Sequence, residues 1–456
     1  MTSTPTLPAP APATEAPAPL RATPAPRPWL RPLVLVAITV LALAVRWTML
    51  GEQSGDYRAF LDPWYRHLAQ SGFAGLGDEF SNYNTPYLVL LAAVTYLPVP
   101  ELVGIKAISI VFDLLLAVFV AKIVAHVRPG SRWLPVLGYG ATLLLPTVVL
   151  NSAWWAQCDA IYASLAVGSV YFLLRRRTAL ACVLFGLAFA FKLQAVFLLP
   201  ALLVLLVVNR HRLRNLALIP VTFLAALVPA WLAGRSLLGQ LAIYPAQVTD
   251  SSGAVGGAAT RGTRGGGGPG GGFDRAAGGG GFGGGAGGGA GGGTTAHSFT
   301  SNAPTWYAWL PADASTTWKY VGLGLAAAVG LAVAVWLVAR RRRLTSPEAL
   351  LVVATLALVV PVLLPEMHER YFYLAEVLAL VAAFVDRRFL GVAALLQVAT
   401  LSTYWTYLHT STLLPLGLAA VLALAAAVLA TVVLMLRLRR PGAVAEPVLP
   451  PTPVLG

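Results

Sequence analysis

Charge is what this chain has least of. Only 11% of its 456 residues are charged, and Asp and Glu together number 18. A soluble chain of this length needs about a quarter of its residues charged to cover its surface, so a soluble globular class is set aside first. Cysteine is nearly absent as well. Cys158 and Cys182 both lie in or beside apolar runs, which indicates neither a disulfide framework nor a zinc site. The opening residues show no cleavable signal pattern. Residues 1–28 are rich in Pro, Ala and Thr and read as a disordered cytoplasmic tail.

What is abundant is apolar sequence. Hydrophobic residues make up 57% of the chain, and the mean hydropathy is +0.73. A helix needs about 20 apolar residues to cross the hydrocarbon of a bilayer. Runs of suitable character lie near 29–50, 102–126, 133–150, 158–174, 178–191, 193–208 and 215–233, and again near 317–339, 347–364, 370–386, 388–408 and 412–436. The expected fold is therefore all-α, a polytopic transmembrane helix bundle.

The net charge of +14 does not point to nucleic acid. The basic residues fall in short clusters between apolar runs: Arg175–Arg177, Arg210–Arg214, Arg340–Arg343, Arg387–Arg388 and Arg437–Arg440. Cytoplasmic loops look like this under the positive-inside rule. All five fall on one side if each run crosses once and the short run 87–97 only enters part way. That gives about twelve spans with both termini cytoplasmic. An external loop, 51–101, follows the first span. Its segment YRAFLDPWYRHLAQSGF reads as an interfacial helix anchored by Phe60, Trp64 and Tyr65.

The domain plan is a transmembrane domain over 29–437 and a disordered cytoplasmic tail over 438–456. A glycine-rich external insert occupies 253–297. The insert is too long and lacks the strand and helix that a phosphate-cradling loop needs, so it reads as a flexible segment.

On this topology the distinctive polar residues face outward. Asp56 follows the first span. Asn84, Trp155, Gln157 and Asp159 lie at external corners, and Lys192 and Gln194 at the next. Trp306 closes the long loop, and His368, Arg370 and Tyr371 form a later corner. Ionisable groups at membrane depth are costly and usually functional. A lone carboxylate such as Asp56 suits a general base acting on a hydroxyl. Lys192 and Arg370 suit a lipid-linked phosphate, since Arg binds two phosphate oxygens at once. His368 can help hold that phosphate or move a proton. Asp159 can bind a sugar, cap a helix or join Asp56 at a metal. The external loops hold no DxD pair, so no cofactor is called for, although a divalent metal remains possible. Lys106 and Asp113 share one helical face and read as a structural pair or as contacts inside the bundle.

These residues lie in segments with a family likeness. SGDYRAFLDPWYRHL with NYNTPYLVLLAAVTYLP resembles the first external loop of the GT-C glycosyltransferases, close to the bacterial PIG-V-like mannosyltransferases. WWAQCDAIYASLAVGSVYFLLRRR resembles that group's W-G-Q-x-D-x-I-Y segment, and FGLAFAFKLQAVFLLP its F-K-x-Q-A segment. NAPTWYAWLP is similar to its N-x-P-N-x-Y-x-W-x-P segment, and PEMHERYFYLAEVLAL to its P-x-M-H-E/D-R-Y-F segment. The segments occur in order from about residue 29 to 410.

The resemblance implies a polyprenyl-phosphate sugar donor, inversion at the sugar carbon and an active site facing away from the cytoplasm of a bacterial plasma membrane. By position, Asp56 matches the catalytic acid residue of the family. Asp159, Lys192, His368 and Arg370 match its polar motif positions. Ala156 replaces the usual Gly before Gln157, and Trp306 stands where Asn is common; both bear on the sugar pocket.

The expected activity is transfer of a sugar, with mannose favoured by the family alone, to an extracytoplasmic hydroxyl. Asp56 would be the base. Lys192, Gln194, His368, Arg370 and Tyr371 would meet the lipid phosphate. Asn84, Trp155, Gln157, Asp159 and Trp306 would meet the sugar or acceptor. The partners are the lipid donor, membrane lipid and an acceptor that is a glycan, a lipid or a protein, with no nucleic acid. The rival is a lipid-linked saccharide flippase or other transporter, but transporters usually carry internal repeats with matching broken helices, and none is visible.

Overall fold

The computed structural model describes residues 29–250, 299–311, 314–409 and 411–439. The proline-rich opening, the glycine-rich insert and the closing tail of the sequence reading lie outside the described residues, except that the last helix runs on through Leu438 and Arg439.

The described chain is almost wholly helical. In order, the helices are α1 Leu30–Trp47, α2 Asp62–Ser71, α3 Thr85–Val94, α4 Glu101–Val127, α5 Leu134–Leu143, α6 Pro146–Val149, α7 Asp159–Leu174 and α8 Thr178–Phe191. Then follow α9 Leu199–Val208, α10 Leu218–Leu232, α11 Leu237–Asp250, α12 Thr317–Ala339, α13 Ser346–Leu363, α14 Tyr373–Ala383, α15 Phe389–His409 and α16 Leu416–Arg439. Two short strands, β1 Thr300–Ser301 and β2 Met367–His368, pair in parallel.

Among the described residues, seven segments are long and apolar enough to cross a membrane: α1, α4, Leu213–Leu232, α12, α13, α15 and α16. An eighth is added if the bent pair Leu134–Leu143 and Pro146–Trp154 counts as one span. The twelve crossings expected from hydropathy would also need shorter apolar helices, such as Asp159–Leu174, Thr178–Phe191 and Leu193–Val208. Burial separates the long helices. The central α13 has 78% of its apolar window buried, whereas α1, Leu213–Leu232 and α12 have 11%. Apolar surface on that scale needs an apolar solvent, and lipid supplies it.

Local sequence explains the breaks. The run expected to cross once over 133–150 is instead bent by 50°. Pro146 starts the second helix, and Leu145 before it is extended, with ψ 123, because a proline ring disfavours the α conformation of its predecessor. α13 begins with a capping box in which the Thr345 hydroxyl and the Glu348 carboxylate satisfy each other's backbone N–H. The corner expected to be helical from residue 370 begins as a 3-10 turn, Glu369–Phe372, and α14 starts at Tyr373.

Two further expectations need correction. Of the two readings of Lys106 and Asp113, contacts inside the bundle hold and a mutual pair does not. Asp113 takes the Arg46 guanidinium at 2.9 Å, the Ser152 hydroxyl at 2.6 Å and the Tyr373 hydroxyl at 3.2 Å. The buried pair thus joins α1, α4, the turn after α6 and α14. Arg46 also donates to the carbonyls of Ala42 and Leu143, so its charge is fully engaged. Lys106 donates to three carbonyls in the segment leaving α1, those of Met49, Leu50 and Glu52, at 2.8, 3.1 and 2.6 Å. It fixes the stretch of chain that delivers Asp56. The second correction concerns Trp64, which is 6% exposed and packs with Phe60 and Tyr83 rather than anchoring the loop in a membrane surface.

Candidate active site

Asp56 lies where two irregular turns meet. It directly precedes a π turn, Tyr57–Leu61, and a second π turn, Leu150–Trp154, directly precedes Trp155. Such turns shift side chains off the regular helical rows and recur at functional sites. The Ser54 hydroxyl stitches the two segments, donating to the Trp155 carbonyl at 2.7 Å and accepting from the Tyr57 N–H at 3.1 Å.

Beyond Trp155 the chain reverses at Ala156, whose φ is +65. Glycine takes that conformation freely, and alanine takes it at a cost of about 1 kcal/mol. The substitution noticed in the sequence therefore sits on a strained backbone, and the strain has a use. It lets the neighbouring side chains of Trp155 and Gln157 converge on one carboxylate oxygen. Trp155 Nε1 donates to Asp56 Oδ2 at 3.0 Å and Gln157 Nε2 at 2.5 Å. Arg370 Nη1 stands 3.4 Å from the same oxygen. The other oxygen, Oδ1, accepts from the Tyr407 hydroxyl at 2.5 Å.

A second charged cluster lies alongside. Lys192 follows α8 in extended conformation, and its ammonium meets Asp159 Oδ1 at 2.5 Å. Asp159 Oδ2 accepts from Asn151 at 2.9 Å. Tyr83 bridges the clusters: its hydroxyl donates to Gln157 Oε1 at 3.3 Å, and Lys192 Nζ stands 5.8 Å from its ring centre. A narrow cleft beside Asp56 is lined by Phe60, Leu61, Trp64, Tyr83 and Gln157.

The segment before α14 completes the site. His368 lies in β2, held by β1 near the end of the long loop, and its ring stacks obliquely on Tyr371 at 5.0 Å. Gln194 lies beside the Tyr371 hydroxyl. Burial, reinforced by the Arg370 and Lys192 cations, pushes the His368 imidazole well below its ordinary pKa, so it is neutral near pH 7 and serves as a hydrogen-bonding group rather than a cation. Arg370 is 4% exposed and lies over Trp155 at 5.3 Å. Its Nε finds no hydrogen-bond acceptor among the described residues.

The structure thus brings together Asp56, Trp155, Gln157 and Arg370 directly, with Asp159 and Lys192 next to them and Gln194, His368 and Tyr371 on the Arg370 side. Two expected residues stand apart. The Asn84 amide donates to the Ala190 carbonyl at 2.6 Å and ties α3 to the end of α8. Trp306 packs on Tyr307 and Trp318. Two residues escaped the sequence reading, Tyr83 and Tyr407; Glu369 faces outward at the same corner as His368 in that reading but has no role there, and its carboxylate lies 3.3 Å from Arg370. The one signal for Tyr407 was an aromatic cluster, YWTYLH, at the end of an apolar run.

Among the described residues, no three His, Cys, Asp or Glu side chains converge as a metal set. The arrangement offers a carboxylate with 18% of its side chain exposed, a buried guanidinium and ammonium, and aromatic walls. A carboxylate and two cations suit removal of a proton from a hydroxyl and stabilisation of a departing phosphate.

No curated protein matches this chain. The model of glycosyltransferase family 87 matches residues 80–265, which include Tyr83, Trp155, Gln157, Asp159 and Lys192 but neither Asp56 nor Arg370. The match does not extend to the mannosyltransferase branch that the motifs resemble. Over residues 80–265 the chain is similar to glycosyltransferase family 87, a GT-C-like membrane family, and this similarity indicates a membrane glycosyltransferase.

Proposed function

We propose that this protein transfers a sugar from a polyprenyl-phosphate carrier to an acceptor hydroxyl, with inversion, and that Asp56 is the base. The observation that carries this reading is the seating of one partly exposed carboxylate against a buried guanidinium, with a second buried cation, Lys192, close by. The carboxylate takes the acceptor proton as the acceptor oxygen attacks the anomeric carbon. Arg370 and Lys192 stabilise the charge that develops on the leaving phosphate, and neutral His368 hydrogen-bonds it. We place the site on the extracytoplasmic face of a plasma membrane, with both termini inside, on the strength of the arginine-rich loops at the other ends of the spans. Mannose is the first sugar to test, because of the motif resemblance.

The test is incubation of the lipid-embedded protein with a panel of radiolabelled polyprenyl-phosphate sugars and a membrane extract as acceptor source. Consumption of one donor with release of polyprenyl phosphate is expected. No consumption of any donor, together with movement of a labelled lipid across liposomes, would replace the reading with a transporter.

An anionic donor makes Glu369 a pH sensor of the site. Burial raises its carboxyl to about 7, against the lowering pull of Arg370. Below that pH the group is neutral. Above it a second carboxylate faces Arg370 and repels the donor phosphate. Donor KM should therefore rise severalfold as pH increases through about 7. Glu369→Gln should hold the low-pH KM throughout. The same pH dependence in the variant would remove Glu369 from this role.

A further inference from the structure

Asp56 has two oxygens in unlike company. Oδ2 is crowded by Trp155, Gln157 and Arg370. These groups come from two structured corners that also hold the site together, so Oδ2 is not free to take a proton. Oδ1 accepts from one group, the Tyr407 hydroxyl at 2.5 Å. Tyr407 comes from the last turn of α15 and is half-buried. Asp56 is the hydrogen-bond partner shown for its hydroxyl, and its ring lies against Trp155 at 4.3 Å, with 20° between planes.

A hydroxyl donating to the less crowded oxygen of a base does what the substrate of that base must do. Resting on the transferase reading above, we propose that the Tyr407 hydroxyl occupies the acceptor-hydroxyl position at Asp56 Oδ1, and that Tyr407 must leave before transfer can occur. The acceptor O–H then donates to Oδ1. Its proton passes to that oxygen, the acceptor oxygen bonds to the anomeric carbon, and the bond from that carbon to the phosphate oxygen breaks. The bonding pair leaves with polyprenyl phosphate on the Arg370 and Lys192 side. Tyr407 is thus a positioning residue and a gate: it holds the base in register and keeps water from it until an acceptor takes its place. Idle hydrolysis of the donor is suppressed by the same contact.

Tyr407→Phe keeps the ring against Trp155 and removes only the competing hydroxyl. The expected result is a split in kinetics: acceptor KM falls about tenfold, as loss of a competing hydrogen bond to a charged group implies, and donor hydrolysis without acceptor rises severalfold. A residue that merely supported the fold would instead lower kcat and leave acceptor KM unchanged, and that outcome overturns the proposal. A second measurement runs without donor. In protein containing 3-fluorotyrosine, the Tyr407 resonance is identified by its loss in Tyr407→Phe. It should move on addition of methyl glycosides, and should already stand at the displaced position in Asp56→Asn. A resonance that stays fixed in both cases overturns the gate. Wild-type protein that consumes no donor counts against the transferase reading itself, and the fluorine measurement keeps the two failures apart.

Discussion

Asp56→Asn should lower kcat by about 10³- to 10⁴-fold, the upper part of the range for loss of a general base. The asparagine keeps the size of the side chain; its one carbonyl oxygen can still accept from Trp155 and Gln157, while its NH2 then faces the Tyr407 hydroxyl and that hydrogen bond is lost. What it loses is the ability to take a proton and the charge that faces Arg370 at 3.4 Å. Donor binding should survive, because the phosphate is assigned to Arg370, Lys192 and His368. The check is single-turnover transfer beside equilibrium binding of the donor. A variant that binds donor normally and turns over within about tenfold of wild type would take the base role from Asp56.

The second large effect is on stability. Arg46→Met strands Asp113 in the interior with only hydroxyl donors, those of Ser152 and Tyr373. Removing one partner of a buried ion pair costs about 3–5 kcal/mol, because the remaining charge is left uncompensated. Both side chains are nearly inaccessible, at 2% and 0%, so solvent cannot make good the loss. The variant should unfold at markedly lower denaturant or temperature. The double variant Arg46→Met with Asp113→Leu should recover most of the loss, since an apolar replacement of both partners removes the stranded charge. Unfolding of the purified protein in lipid nanodiscs measures both. Equal instability of the single and double variants would show that the pair does more than cancel its own burial.

Much of this architecture could be read from hydropathy. The span expected over 317–339 is α12 to the residue, and those expected over 102–126 and 347–364 match α4 and α13 to within a residue or two. The period and length of an apolar helix are local properties, and sequence records them directly. The break at Pro146 was missed because the apolar run continues across it, although the proline itself was visible. The shorter helices α7, α8 and α9 show why the count of spans is harder to read than the class of fold: burial between neighbours makes a short apolar helix look like part of a span.

The site divides in the same way. Asp56, Asp159, Lys192 and Arg370 were legible because ionisable groups are rare in this chain and stand out at span ends. Their pairing was not. Tyr407 lies 351 residues from Asp56 in sequence, and a tyrosine at the end of an apolar helix usually marks a membrane interface. Only the packing of α15 against the rest of the bundle turns it toward the carboxylate. Asn84 and Trp306 drew attention by residue type and motif position, yet the structure engages the first with the end of α8 and the second with its aromatic neighbours. The departure at Ala156 was visible in sequence, but its meaning needed the backbone: φ of +65 shows that a turn, rather than a pocket wall, is what the residue supports.

The most direct test of the central claim is stoichiometry. Proteoliposomes would be loaded with a polyprenyl-phosphate sugar labelled separately in the sugar and in the carrier phosphate, and both labels followed after acceptor is added. Transfer predicts one polyprenyl phosphate released for each new glycosidic bond, inverted configuration in the product, and loss of both signals in Asp56→Asn. Passage of the intact doubly labelled lipid across the bilayer, with no glycosidic bond formed and no dependence on Asp56, would contradict it.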